Sequence, residues 1–433
     1  MSAHYGLALA LVIAAVGCSA ASQAREATSS TPDDASRAEG VTDAAGSPEL
    51  HLPRGFAVTV FHDGVGQAAR HMVVRDNGDV LVSRRSGSLV ALRDSDGDGR
   101  ADREEERSLP VTTGLALRGE HLYFADTTTV SRLVLDRSLM PQGEPETVVS
   151  GFPEQTSHAT KALAFDGEGN LYVNVGAPSN ACQKQARTLG SPGQQPCPQL
   201  ERQAAIWKFP AGAVGLTQTD GERFVRGTRN VLAMDWHPEA RALYFVMHGR
   251  DQLSSLWPDR FDDVENAEMP AEELHRAVAG ADYGWPYTFF DPLTGRRLIA
   301  PEYGGDGEQE AEPGRYQAPL HAFPAHWAPN DLLFYRGEQF PERYRGGAFI
   351  AWHGSWNRAP LPQEGYRVTF LPFAEGEPAG EPRDFVTGFR PEDDFIDPDR
   401  ATYRPMGLAV GPDGALYVTE SQQGRIWRIS YGS

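Results

Sequence analysis

Residues 162–176 read ALAFDGEGNLYVNVG, two short apolar runs joined by an Asp-Gly-rich turn. Short runs of Leu, Val, Tyr and Phe broken by Asp-Gly are the mark of a β-hairpin rather than a helix. The same unit returns as HMVVRDNGDVLVS from His71, GLALRGEHLYFAD from Gly114, LAMDWHPEARALYFVMHG from Leu232 and GLAVGPDGALYVTES from Gly407. A degenerate copy, with GAFIAWHG from Gly347, fills the gap before the last. Another short strand follows several units: GSLVALRD, AIWKFP, YRVTFLPF and GRIWRISY. About six irregularly spaced hairpins with insertions between them predict an all-β chain, a six-bladed β-propeller with loop insertions. A two-sheet sandwich would need fewer strands and no internal repetition. The 45 glycines and 32 prolines among 433 residues also favour many short strands.

Beside these strands stand five polar phrases: TSHATKAL (156–163), GTRN (227–230), HGRDQL (248–253), HGSWNR (353–358) and TYRP (402–405). Arg, His and Asn returning at one place in successive repeats imply side chains that converge on a common centre. The formal charge is -19, which argues against nucleic acid and anionic membranes as partners. Basic side chains gathered in so acidic a chain imply a local anionic ligand. Scattered surface ion pairs are the plainer alternative.

The apolar run from Leu7 to Val16 is too short to span a bilayer and suits a signal-peptide core. Residues 1–18 end at Cys18 in a sequence that resembles a bacterial lipobox. It departs from that pattern in having alanine where leucine is usual and no Lys or Arg before the run. Residues 19–48 have the Ala, Ser, Thr, Asp and Gly composition of a disordered tether, and residues 49–433 form the propeller. Export to the periplasm or cell envelope, with a lipid anchor at Cys18, is the expectation. Cys182 and Cys197 would pair as a disulfide in that compartment, a free thiol pair being the alternative. No CxxCH, CxxC, HExxH or GxSxG occurs, so the chain carries no c-type haem attachment of its own. One insertion, residues 180–202, holds the cysteines. A second, about 253–330, contains PAEELHRAVAG from Pro270, which reads as helical, and YGWP at 283–286.

DSDGDGRADREE (94–105) is the strongest local motif. Asp94, Asp96, Asp98, Asp102 and Glu105, with Gly99 at the turn, follow the calcium-loop spacing of an EF-hand. The strand LVALRD before it and Pro110 after it do not suit helices. A structural calcium loop between strands is expected, a solvated Asp-Gly turn being the alternative. His158 is the candidate for chemistry. It sits in a Ser-His-Ala-Thr-Lys run before ALAF, and an imidazole near neutral pKa can take a proton from a hydroxyl. His71, His121, His237, His275, His321 and His326 read as structural.

In order, LPRGFAVTVF from Leu52, SHATKALAF…LYVNVG…SNAC, GTRN, HGRDQL followed by GWP, and HGSWNRAP…GY span nearly the whole mature chain. Together they resemble the soluble quinoprotein sugar dehydrogenases of the glucose/sorbosone dehydrogenase type, nearest the sorbosone dehydrogenase-like and pyranose dehydrogenase branch. The resemblance implies pyrroloquinoline quinone (PQQ) and Ca2+ at the top of the propeller channel. It makes His158 the general base, Arg229 and Asn230 cofactor contacts, and Arg404 a carboxylate-binding arginine. Calcium ligands would come from the main chain at Gly249 and Arg250, with Asp251 a further oxygen ligand. The glucose-oxidising branch has an aspartate where Ser157 stands and a lysine in the fifth blade. Here His353, Asn357 or Arg358 takes the lysine's place. Lys161 either reaches toward the cofactor or is a strand-edge cation.

The expected function is oxidation of a sugar-like alcohol or aldehyde by hydride transfer to the quinone. Electrons would pass to a separate cytochrome or quinone acceptor, with the membrane involved only through the lipid anchor. The alternatives are a calcium-dependent hydrolase of the lactonase kind and a non-catalytic carbohydrate-binding propeller.

Overall fold

The structure, a computed structural model, describes residues 48–432. The leader, Cys18 and almost all of the tether lie outside the described residues. Six sheets are arranged as blades around a central axis, five with four strands and one with five. Blade 1 runs outward through Ala69–Val74, Val80–Arg84, Ser88–Arg93 and Arg103–Ser108. Blade 3 does so through Leu163–Phe165, Asn170–Val175, Ala205–Pro210 and Glu222–Arg226. The five full hairpins recognised in the sequence are the two innermost strands of their blades, because their register pairs within the repeat, as with Leu163 opposite Val173. The degenerate copy supplies the second strand of blade 5, Ala348–Trp352, whose inner partner is Pro329–Phe334. Each innermost strand packs against those of the neighbouring blades, and the ring closes from blade 6 to blade 1.

Closure is made by the N-terminal strand. Phe56–His62 forms the outer edge of blade 6 by antiparallel pairing with Ile426–Tyr431, Phe56 opposite Tyr431. Joining the first and last strands of the propeller in one sheet leaves no open seam, which removes the edge an unclosed propeller would expose.

Period-two alternation sends successive side chains to opposite faces of a blade, and here both faces are buried. In blade 1, Val80 and Val82 pack against Ala409 and Tyr417 of blade 6, whereas Leu81 packs with Leu122 and Phe124 of blade 2. Six such apolar clusters fill the six seams between blades. Continuous apolar runs such as VLVS and ALYFVM follow from this two-sided burial.

Two expectations change. PAEELHRAVAG is not a helix: Glu272–Arg276 is the third strand of blade 4, paired with Tyr244–Met247 on one side and with His321–Phe323 on the other. Its helix-forming residues are overruled by tertiary partners, since Leu274 enters the seam between blades 4 and 5 and Glu273 pairs with Arg297. The stretch 253–330 is therefore not one insertion. The short helices Leu253–Leu256 and Asp263–Glu268 precede that strand, and the hairpin Thr288–Asp291 with Arg296–Ile299 follows it.

Candidate active site

In an antiparallel blade, the connection entering the innermost strand and the connection after the second strand lie at the same end. All five polar phrases occupy such connections. His158 and Arg229–Asn230 precede the innermost strands of blades 3 and 4, and Arg404 precedes that of blade 6. Residues 248–251 and 353–358 follow the second strands of blades 4 and 5. One mouth of the channel thus collects residues from at least four blades.

His158 occupies a left-handed turn (φ 50°). Gln155 holds that turn, its Nε2 donating to the carbonyls of Ser157 (2.8 Å), His158 (3.1 Å) and Gly176 (3.0 Å). The imidazole Nδ1 meets the Ala177 carbonyl oxygen at 2.7 Å. A carbonyl only accepts, so Nδ1 carries the proton and Nε2 keeps its lone pair. Burial, reinforced by the Arg229 guanidinium, holds the ring well below the usual imidazole range, hence neutral. Gly176 permits this packing: a Cβ there would lie 2.7 Å from both Cβ and O of His158 and 3.0 Å from Asn230 Oδ1.

Arg229 is buried, and its Nη2 donates to Asp251 Oδ2 (2.8 Å) and Asn180 Oδ1 (3.0 Å), its Nε to the Asn180 carbonyl (3.3 Å). Asp251 is held below the usual carboxylate range, burial being outweighed by Arg229, His326 and Arg187. Its Oδ1 accepts from Asn357 Nδ2 at 3.1 Å. Asp251 therefore links three of the expected positions. Arg250 is committed elsewhere: its guanidinium is buried against Glu302, which also accepts from Trp257 Nε1 at 2.9 Å. The Gly249 N–H donates to Glu272 at 2.8 Å.

In blade 5, His353 Nε2 meets Ser421 Oγ at 2.9 Å. Burial, Arg404 and Arg70 together hold its ring far below the usual value. Arg404 donates to the carbonyls of Gly354 (3.1 Å) and Pro398 (3.2 Å) and lies 5.0 Å over the Tyr366 ring. Arg358 is tied to the carbonyls of Pro362, Ala267 and Ala325, so it braces the blade 4 connection. Lys161 is fully buried in the seam between blades 2 and 3, bonded to the Ala159 carbonyl and 5.7 Å from the Phe152 ring centre; burial lowers its ammonium to about 8.

The donor set suits an anionic, oxygen-rich ligand. Arg229 and Arg404 bring positive charge to the mouth, while the buried Oδ1 atoms of Asn230 and Asn357 accept from nothing among the described residues. Buried acceptors of that kind call for a ligand donor, a cation or water. On this observation the residues fit a carboxylated quinone with a hard cation.

Outside this mouth, the carboxylates of Asp94, Asp96 and Asp98 lie within 4.8 Å of one another. Asp102 accepts from the Ser95 N–H, and Glu105 stands on an outer strand opposite Ala91. Cys182 and Cys197 are joined in a disulfide, closing the loop that begins beside Asn180. Sequence reasoning missed Arg70, His248, Asn180, Gly176 and Glu272. His248 lies in HGRDQL, Asn180 in SNAC, Gly176 at the end of LYVNVG and Glu272 in PAEELHRAVAG. Nothing in those stretches marks Asn180, Gly176 or Glu272, and nothing local marks Arg70: their roles come from contacts between separate connections, Gly176 with His158 and Asn230, Glu272 with Gly249.

The TrAA12-like family model matches residues 50–432. A PQQ-dependent pyranose dehydrogenase from Coprinopsis cinerea is 31% identical over 424 residues, covering 88% of this chain and 54% of the relative. The chain thus spans about half the length of that protein. An uncharacterised Borreliella burgdorferi protein is 24% identical over 406 residues, 88% of this chain and 91% of its own. Among solved structures, the PQQ domain of the Coprinopsis pyranose dehydrogenase in holo form superposes with TM-score 0.72 at 18% identity, covering 90% of this chain and 98% of that one. A calcium structure of a Trichoderma reesei AA12 enzyme gives 0.74 at 18% identity, covering 90% and 99%. The structural likenesses establish the six-bladed fold. With the family model matched over essentially the whole propeller, and with the polar phrases of its repeats meeting at one mouth, the chain belongs to the TrAA12-like family.

Proposed function

We propose that this protein is a PQQ-dependent dehydrogenase of sugars, assisted by calcium, exported and anchored through Cys18. The observation that carries the reading is His158, a neutral imidazole whose Nδ1 is committed to the Ala177 carbonyl and whose Nε2 is left to accept a proton. When bound, PQQ with calcium supplies a polarised quinone carbonyl that accepts a hydride. His158 Nε2 takes the proton of the substrate hydroxyl as the carbon–hydrogen bond is broken. Arg229 and Arg404 would hold carboxylates of the cofactor, and the unpartnered Asn230 Oδ1 would accept from a donor on it. Main-chain oxygens at Gly249 and Arg250 would supply hard ligands to calcium, while Asp251 keeps Arg229 and Asn357 in place. The electrons would pass to a separate cytochrome or quinone acceptor.

The test is dye reduction by purified protein across a panel of sugars, with PQQ and calcium added together, singly, or not at all. Sugar-dependent reduction only with both supports the reading. Lactone hydrolysis without dye reduction would replace it with the hydrolase alternative.

A further inference from the structure

Eight large hydrophobic side chains are exposed among the described residues, and the single aromatic one is Trp356, at 53%. It stands in HGSWNR, between residues whose contacts reach into the mouth. On one side, His353 meets Ser421 and the Gly354 carbonyl accepts from Arg404. On the other, Asn357 donates to Asp251. The loop cannot readily fold the indole inward. Ser355 Oγ donates to Gln363 at 2.6 Å, and the Tyr366 hydroxyl donates to the Ser355 carbonyl. Gly354 has φ +90°, and a Cβ there would meet the Tyr366 ring at 2.4 Å. This braced loop leaves it in water, which has a cost unless something apolar covers it in use.

We propose that Trp356 is the platform on which the ring of a neutral pyranose substrate lies, an assignment that rests on the dehydrogenase reading above. A pyranose with equatorial hydroxyls presents flat C–H faces and a polar rim. The indole matches the face, while the carbonyls and amides of the mouth match the rim. The anion-binding groups at the mouth are engaged by the cofactor in this reading, and the protein carries a charge of -19, so the fitting sugar is uncharged. An acyclic polyol has no such face.

The experiment uses Trp356→Ala and Trp356→Phe in the protein reconstituted with PQQ and calcium, with glucose and the acyclic polyol sorbitol as probes. For glucose, KM should rise about 3- to 10-fold in W356A and largely recover in W356F. The kcat should stay within about twofold, as expected when ground-state and transition-state binding are lost together. Cofactor affinity read by absorbance should be unchanged, and the KM for sorbitol should move far less. Independently of turnover, glucose should give a saturable change in tryptophan emission of the cofactor-free protein, and W356F should lose it. That change, lost in W356F in a protein that oxidises no sugar, would uphold the platform and remove the dehydrogenase reading. An unchanged glucose KM in W356A, or an emission change that is absent from wild type or persists in W356F, overturns the platform. A defect confined to reduction of a protein acceptor also overturns it, and assigns Trp356 to acceptor docking.

Discussion

His158 Nδ1 lies 2.7 Å from the carbonyl oxygen of Ala177, and this one contact decides which imidazole nitrogen can do chemistry. The carbonyl fixes the tautomer, Gln155 fixes the turn, and Gly176 supplies the space. The sequence identified the histidine; these three neighbours make it a base.

His158→Gln should lower turnover by about two to four orders of magnitude while PQQ absorbance on binding persists, because glutamine keeps a polar contact to Ala177 and cannot take the proton. Cofactor loss in proportion to activity would make His158 a binding residue instead. Because its pKa is lowered, no acid limb from His158 should appear near pH 6.5 in the rate profile of the wild type.

Arg229→Lys keeps the charge but loses the planar fork shared by Asp251 and Asn180. It should cost on the order of 2 kcal/mol of stability and weaken PQQ binding measurably. Arg241, an exposed partner of Glu168, is the control, and its lysine variant should stay within about 0.5 kcal/mol. Denaturant unfolding and an absorbance titration read the two effects. Equal effects at both arginines would place Arg229 outside the site.

Gly176→Ala tests the packing behind the base. The added methyl must displace His158 or Asn230, so a loss of about 1–3 kcal/mol is expected from overpacking. Activity should fall further than the folded fraction does. Activity that tracks folding alone would separate Gly176 from the chemistry.

Acid should destabilise the fold from about pH 6.5 downward. Seven imidazoles, those of His158, His237, His248, His275, His321, His326 and His353, are held below their ordinary 6.5, chiefly by burial. Below that pH the unfolded chain binds protons that the folded chain refuses, so stability falls as pH drops. Glu272, Asp331 and Glu420 are raised by burial and act in the opposite sense. Fewer in number, they soften the fall without reversing it. Above pH 6.5 the imidazoles no longer contribute, and Glu272, raised to about 8, makes stability decline gently toward pH 8. The melting temperature should therefore peak near pH 6.5, and a profile still climbing at pH 8 would contradict this account.

Five of the inner hairpins were legible because strand pairing within a repeat is local: ALAF and LYVNV are a turn apart, and alternation with a tight turn needs no distant partner. In blade 5 only Ala348–Trp352 was legible, because a long connection separates it from its partner Pro329–Phe334. The polar phrases were legible for the same reason, each adjoining its own strand. Glu272–Arg276 was not, since a run of Glu, Leu, His and Arg has helical propensity, and only Arg297 and the seams on either side make it a strand. Arg358 and Asn357 are adjacent in sequence, yet one braces backbone carbonyls and the other reaches Asp251. By itself, then, the sequence determined the blade count and which residue types gather at one end of the channel. The tertiary structure alone decided which of them face one another, because those contacts join side chains of different blades, brought together only when Phe56–His62 closes the ring.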